Sequence, residues 1–213
     1  MAKRLFDILL SLILLILFLP VMAILFILIK IDSEGPGFYQ GLRVGLGSKP
    51  FRMMKFRTMI PDADKVGGPS TSDDDPRLTG YGKFLRRYKL DELPQLINVL
   101  NGEMSFVGPR PEVPSEVARY TEEERKLLTV RPGITDYASF TYHNEGKILE
   151  GAEDPHEAYR RLIRPGKIKL GLRYVREQSF GTDVKILTMT LMTLMGSRLK
   201  LGGGEEDKEG KKA

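Results

Sequence analysis

Residues 5 to 31, LFDILLSLILLILFLPVMAILFILIKI, constrain this chain more than any other stretch, because the 22 residues from Ile8 to Ile29 carry no charge and must be buried or placed in lipid. A straight helix over this run, at about 1.5 Å per residue, is long enough to cross the hydrocarbon core of a bilayer. Pro20 stands in the middle. Proline withholds an amide donor and its ring collides with the preceding turn, so a kink or break is expected there. The flanks add a second constraint. Lys3 and Arg4 precede the run, and Lys30, Arg43, Lys49, Arg52, Lys55 and Arg57 follow it against only Asp32 and Glu34, so both ends carry the charge that marks a cytoplasmic side. A re-entrant helix broken at Pro20, entering and leaving by one leaflet, meets both constraints. A kinked spanning anchor meets only the first. A cleaved signal peptide fits poorly, because the apolar core is too long and no small-residue cleavage site follows.

The 213 residues therefore divide into a membrane segment over 1–31, one folded domain over 32–201 and a disordered, charged, glycine-rich tail over 202–213. The middle part, about 170 residues, is enough for a single core. Cysteine is absent, which excludes disulfides, thiol nucleophiles and thiolate metal sites. His143 and His156 are too few and too far apart for a zinc cage. A net charge of +5 suits anionic lipid or phosphorylated ligands. No nucleic-acid partner is expected, since neither a helix-turn-helix nor an aromatic stacking sheet is visible.

Local patterns give a mixed α/β (α+β) fold that is mostly helical. Gly35 to Phe56 reads as strands joined by turns, and 61–80 as a long polar loop. Tyr81 to Gly102 is helical in two pieces separated around Leu90, with Leu93, Leu96, Ile97 and Leu100 at helical spacing and Gly102 as the C-terminal cap. Ser105 to Val107 is a short strand leading into the rigid turn Gly108-Pro109-Arg110-Pro111. Thr121 and Glu124 form a capping box. Asp183 to Leu201 has the broad apolar face of a helix lying in a membrane interface or in a core.

Asp91 and Glu92 open LDELPQLINVLNG. Acids at a helix start are ordinary capping chemistry. With Arg86, Arg87 and Lys89 just upstream, the same acids can instead meet a phosphorylated substrate. Aspartate can attack phosphorus if cations mask the repulsion, and magnesium held by one or two carboxylates and the substrate phosphates is the usual mask. Lys55, Arg57 and Arg110 supply further cations, Arg131 repeats the proline-turn arrangement, and guanidinium matches phosphate oxygens with paired donors.

The proline-interrupted apolar N-terminus, KFRTM at 55–59, LDELPQLINVLNGEMSFVGPRP at 90–111 and VRPGIT at 130–135 together resemble the bacterial sugar transferases, specifically the small monotopic polyprenyl-phosphate phosphoglycosyl transferases that consist of the catalytic domain alone. The resemblance runs from Lys3 to about Leu199. It implies a magnesium-dependent enzyme with a re-entrant membrane helix on the cytoplasmic face of the bacterial inner membrane, 32–201 being its catalytic domain. Such an enzyme moves a sugar 1-phosphate from a UDP-sugar to a polyprenyl phosphate such as undecaprenyl phosphate and releases UMP, in a ping-pong reaction that begins glycoconjugate synthesis. Residue by residue, it implies Asp91 as nucleophile and Glu92 as its partner, both near Mg2+, with Arg57, Arg86, Arg110 and Arg131 binding phosphate. Membrane lipids are further partners, and a homodimer is compatible with the sequence. Two departures stand out. Many members carry Ser-Pro where this chain has Leu19-Pro20, and many continue Gly-Trp-Ala-Gln-Val-Asn-Gly-Arg where this chain reads from Asp136 to Glu145. Two rivals remain: a membrane glycosyltransferase that releases UDP, and a non-catalytic membrane scaffold.

Overall fold

In the computed structural model, which describes residues 2–68 and 70–202, the apolar run is a single helix, α1 (Ala2–Asp32), with Pro20 inside it. The break expected at Pro20 is thus not an interruption. Proline withholds one amide, and the hydrogen bonds of the neighbouring turns carry the helix past it. Among the described residues, α1 is the one helix long and apolar enough to cross a membrane. Its 31 residues give a length of about 46 Å.

The helix has two unlike faces. Asp7, Ser11, Met22, Leu25 and Ile29 are buried, whereas Leu9, Ile13, Ile16, Leu17, Ile24 and Ile27 are exposed. Both ends are tied to the rest of the chain. Near the start, Lys3 Nζ donates to Asp183 at 2.6 Å, and Asp7 Oδ1 accepts from the Phe106 amide at 3.2 Å. At the far end, Asp32 accepts from the Tyr81 amide at 3.1 Å.

A hairpin follows, β1 (Phe38–Val44) antiparallel to β2 (Pro50–Phe56), in register from Phe38 opposite Phe56 to Val44 opposite Pro50. The long polar loop holds the one-turn helix α2 (Ala63–Val66), and a bridge between Met59 and Leu78 closes its base. The two expected helical pieces are α3 (Gly80–Arg87), capped by the Thr79 hydroxyl, and α4 (Gln95–Asn101), separated by a 3-10 turn over Leu90–Glu92. Gly102 ends α4 at φ 83°, a left-handed conformation that glycine adopts without strain. Then come β3 (Ser105–Val107), α5 (Pro114–Val117), α6 (Glu122–Arg125) with its Thr121–Glu124 capping box, and β4 (Gly133–Thr135) parallel to β3. The chain closes with α7 (Ala138–Thr141), α8 (Glu145–Ile148), α9 (Pro155–Leu162), α10 (Arg164–Glu177) and α11 (Phe180–Gly202). This is the mostly helical mixed fold expected. The tail expected over 202–213 lies outside the described residues apart from Gly202, the last residue of α11.

The central core joins Phe51 and Met53 of β2, Leu96 and Val99 of α4, Phe106 of β3, Tyr174 of α10 and Ile186 of α11, and Leu10 and Leu14 of α1 pack against it. A second cluster joins Met22, Leu25 and Ile29 of α1 to Phe56 and Leu85. The apolar helix is therefore part of the fold along its length. The two proline turns meet through glycine: a Cβ on Gly108 would lie 2.2 Å from the Arg131 carbonyl oxygen, and one on Gly133 would lie 2.1 Å from the Gly108 amide. Only residues without a side chain allow the β3 and β4 backbones this close.

Candidate active site

Asp91 does not cap a helix. It lies within the 3-10 turn, whose N-cap is Lys89, while the N-cap of α4 is Pro94, and neither helix start has a side-chain cap. The carboxylate is buried at 6% exposure, and its Oδ1 has no hydrogen-bond partner among the described residues. One helical turn along the chain, Gln95 Nε2 is likewise buried and unpartnered. A buried acceptor and donor left unmatched are costly unless a ligand or water completes them. The capping reading of Asp91 is therefore without support, and the position suits chemistry on a polar ligand.

Cations surround this turn. Lys55 Nζ lies 2.7 Å from Glu92 Oε1 and 3.6 Å from Asp91 Oδ2, and Arg110 donates to the same Glu92 oxygen at 3.1 Å. The strand register explains Lys55. It shares the inward face of β2 with buried Phe51 and Met53, so the period-2 alternation turns its ammonium toward α4 rather than solvent. Asn98 fixes the two elements together: its Oδ1 accepts from the Met54 amide at 2.9 Å and its Nδ2 donates to the Arg52 carbonyl at 2.8 Å.

The charges shift one another. Burial lowers the Lys55 ammonium, against the opposing pull of Glu92 and Asp91. Burial alone would raise the Glu92 carboxyl, but Lys55, Arg110 and Lys89 together hold it well below the usual carboxylate range. Arg110 is raised by Glu92 foremost, against burial, with Glu145 and Glu112 adding to the field. Glu145 itself pairs with Lys167, so α8 and α10 complete the charged surroundings of Arg110.

The expected phosphate-binding arginines separate. Arg110 joins the acid pair. Arg86 stands in the last turn of α3, close to Asp75, whose carboxyl is lowered by the Arg77 hydrogen bond foremost and by Arg86 to a smaller degree. Arg57 is buried, and its guanidinium donates to the carbonyls of Ile29 at 3.3 Å, Ser33 at 2.8 Å and Glu34, closing the C-terminal end of α1. Arg131 Nε donates to the Gly102 carbonyl at 2.9 Å, and Arg4 donates to the carbonyls of Val99 and Leu100. Both thus serve the C-terminal end of α4, about 10 to 15 Å along the chain from the acid pair at a helical rise. Carbonyls left open at a helix end attract such cations. Lys55, counted among the nearby cations but not among the site residues, is the one the structure brings in. Its signal was the alternation Phe51, Met53, Lys55.

The sequence model described as bacterial sugar transferase matches residues 1–197. The chain belongs to that family. Members similar to it include UDP-glucose:undecaprenyl-phosphate glucose-1-phosphate transferase of Escherichia coli K12, 37% identical over 89% of this chain and 39% of its own length. A second is UDP-N-acetylgalactosamine-undecaprenyl-phosphate N-acetylgalactosaminephosphotransferase of Aeromonas hydrophila, 36% identical over 91% of this chain and 43% of its own length. A third, an uncharacterized sugar transferase, EpsL, of Bacillus subtilis, is 34% identical over 92% of this chain and 88% of its own length. This sugar transferase chain thus spans well under half of the first two relatives and nearly all of the third.

Proposed function

We propose that this protein transfers a sugar 1-phosphate from a UDP-sugar to undecaprenyl phosphate, releasing UMP and forming the polyprenyl-diphosphate sugar that begins a glycoconjugate. The observation that carries the proposal is the buried, unpartnered Asp91 Oδ1 beside the Lys55–Glu92–Arg110 charge cluster. Relatives named for both glucose and N-acetylgalactosamine agree on undecaprenyl phosphate as acceptor and differ in the sugar.

Asp91 attacks the phosphorus that bears the sugar. The bond from that phosphorus to the bridging oxygen breaks, UMP departs with the electron pair, and an acyl sugar phosphate remains on Asp91. An oxygen of the polyprenyl phosphate then attacks the same phosphorus and frees the Asp91 carboxylate. Lys55 and Arg110 offset the charge that gathers on the phosphoryl oxygens. Glu92, held ionised well below the usual range, is a weak proton acceptor, and its depressed carboxyl favours a role in placing Lys55 and Arg110. The orphaned Asp91 oxygen and the adjacent Glu92 fit a magnesium ion completed by donor phosphates, and Mg2+ bound there would screen the repulsion between carboxylate and diphosphate.

We read the membrane geometry from α1: one domain contacts it at Lys3, Arg4 and Asp7 near the start and at Ile29 and Asp32 near the end, which supports a placement with both ends on the same side of the bilayer. Its exposed leucine and isoleucine face sits in one leaflet, on the cytoplasmic side of the inner membrane. Phe180, Val184, Leu191 and Met192 of α11, also exposed, add an interfacial contact.

The test uses protein in lipid nanodiscs with a panel of UDP-sugars and undecaprenyl phosphate. UMP release is expected with one sugar, and quenching without acceptor should leave a sugar-phosphate adduct on the peptide containing Asp91. Asp91→Asn should fold and abolish both. Release of UDP, or full turnover by Asp91→Asn, would overturn the reading.

A further inference from the structure

A carboxylate that the transfer chemistry does not use stands in the same field as the acid pair. Arg110 and Lys89, two of the cations that hold Glu92 ionised, act equally in sign on Glu145 at the start of α8. Among the charges that raise Arg110, Glu145 is second to Glu92. Lys167 of α10 donates to Glu145 Oε2, and its ammonium lies 5.1 Å from the centre of the Tyr159 ring. These contacts fix one oxygen of the carboxylate. The other, in a side chain 31% exposed, is left for a ligand.

The β3–β4 pair explains why Glu145 comes near Arg110. Val107 stands opposite Thr135, and the Gly108 amide donates to the Thr135 carbonyl at 3.0 Å. The turn carrying Arg110 and the segment beginning at Asp136 therefore leave the two parallel strands side by side. Asp136 Oδ1 accepts from the Ser139 amide and hydroxyl, both at 2.8 Å, which turns the chain into α7. Tyr142 then packs on Leu149, Tyr159 and Ile163, bringing Glu145 against Lys167. The stretch from Asp136 to Glu145 is the one in which this chain departs from the run that many family members carry.

In-line displacement decides which part of the donor passes this carboxylate. Asp91 and the departing UMP oxygen take the two ends of the line through phosphorus, while the two phosphoryl oxygens and the sugar oxygen lie across it. The sugar thus leaves the phosphorus at the level of the oxygens that Lys55 and Arg110 offset, and the uridine lies off the end of the line. Lys55 is packed in at 16% exposure, whereas Arg110 opens to solvent at 42%, so room for a hexose is on the Arg110 flank. An ionised carboxylate there can only accept, which matches a hydroxyl donor. We propose that Glu145 accepts a hydrogen bond from a hydroxyl group of the donor's sugar and so selects which UDP-sugar reacts, with Lys167 holding its carboxylate in place. The inference rests on the proposed transfer from a UDP-sugar and adds the residue that recognises the sugar.

The test compares Glu145→Gln and Glu145→Ala with the parent in nanodiscs, over a set of UDP-hexoses and the monodeoxy analogues of the preferred one. Circular dichroism melts confirm that both variants fold. With the preferred sugar, kcat/KM should fall at least about tenfold in both, the effect of a lost hydrogen bond to a charged group, while the KM for undecaprenyl phosphate stays the same. One deoxy analogue should cost the parent a similar factor and cost the variants nothing further, which identifies the hydroxyl. A fall of equal size across every sugar and analogue, unchanged kcat/KM, or a parent indifferent to every deoxy analogue overturns the proposal. Equilibrium dialysis with magnesium in an Asp91→Asn background, which forms no adduct, measures the same contact without turnover. There Glu145→Ala should weaken UDP-sugar at least about tenfold and leave UDP unchanged. Equal loss for both ligands, or none, overturns the assignment of Glu145. If the parent releases no UMP from any UDP-sugar, the proposed reaction fails, and the dialysis still decides Glu145 separately.

Discussion

Replacing Lys55 with methionine keeps the length of the side chain and removes the cation that structure, rather than sequence, placed at the acid pair. Lys55 Nζ lies 2.7 Å from Glu92 and 3.6 Å from Asp91, and Arg110 lies 3.1 Å from Glu92. At an effective dielectric near 20 these separations correspond to about 6, 5 and 5 kcal/mol of attraction before desolvation is counted. Lys55→Met therefore removes more than half of the direct cationic contact with the pair. Arg110 still faces Glu92, so the net loss of stability falls at the lower end of the range for breaking a buried pair, about 3 kcal/mol. For a chain of this size that lowers the melting temperature by about 6 to 12 °C. The sign of the pH dependence follows from Glu92. Its carboxyl is depressed in the fold from the usual 4.5, so the stability it contributes is present above pH 4.5 and lost as pH falls through the folded value. Lys55→Met removes the leading charge behind that depression, and the gap between parent and variant should be widest near pH 7 and narrow below pH 4.5. Circular dichroism melts in detergent and magnesium-free buffer, from pH 4 to 8, read this directly. UMP release should fall by at least about 100-fold, as when one electrostatic stabiliser of a transition state is removed. A variant that melts within 2 °C of the parent, or a gap that grows with acid, would refute the placement of Lys55.

Arg110→Lys keeps a charge but loses the planar fork, so UMP release should drop at least tenfold with the melting temperature nearly unchanged; unaltered kinetics would remove Arg110 from the site. Arg57→Met takes the guanidinium from the carbonyls of Ser33 and Glu34, while that of Ile29 keeps the Ser33 amide, and should cost about 3 kcal/mol of stability, while the donor KM of the folded fraction stays the same. A stable Arg57→Met with a raised donor KM would return that arginine to the substrate. Gly108→Ala puts a methyl 2.2 Å from the Arg131 carbonyl oxygen, forcing β3 and β4 apart, and should lower the melting temperature by several degrees and impair turnover; a variant with parental stability would contradict the close approach. Cysteines placed at Lys3 and at Ser48 should both be labelled from the cytoplasmic side alone, and labelling from opposite sides would establish a spanning helix.

The sequence by itself determined what depends on neighbours along the chain. The apolar run had to be a long helix, Thr121 and Glu124 had to close a capping box, and Gly102 had to end α4, because periodicity, capping and a left-handed φ are local properties. The Asp91–Glu92 pair could be singled out as a candidate for the same reason, as two acids beside a cluster of cations within one segment. Which cations serve that pair was not legible. Lys55 and Arg57 are two residues apart in one motif, yet Lys55 meets Glu92 whereas Arg57, just past the end of β2, closes α1. Arg110 and Arg131 occupy matching proline turns, yet Arg110 reaches Glu92 and Arg131 reaches Gly102. Pro20 bends the expectation in the same way, since the packing of α1 against one domain from Lys3 to Asp32 holds as a continuous helix what proline alone would interrupt. A charge in sequence is a donor without an address; its partner is whichever carboxylate or open carbonyl the long-range packing buries beside it, and burial decides how strongly the two interact.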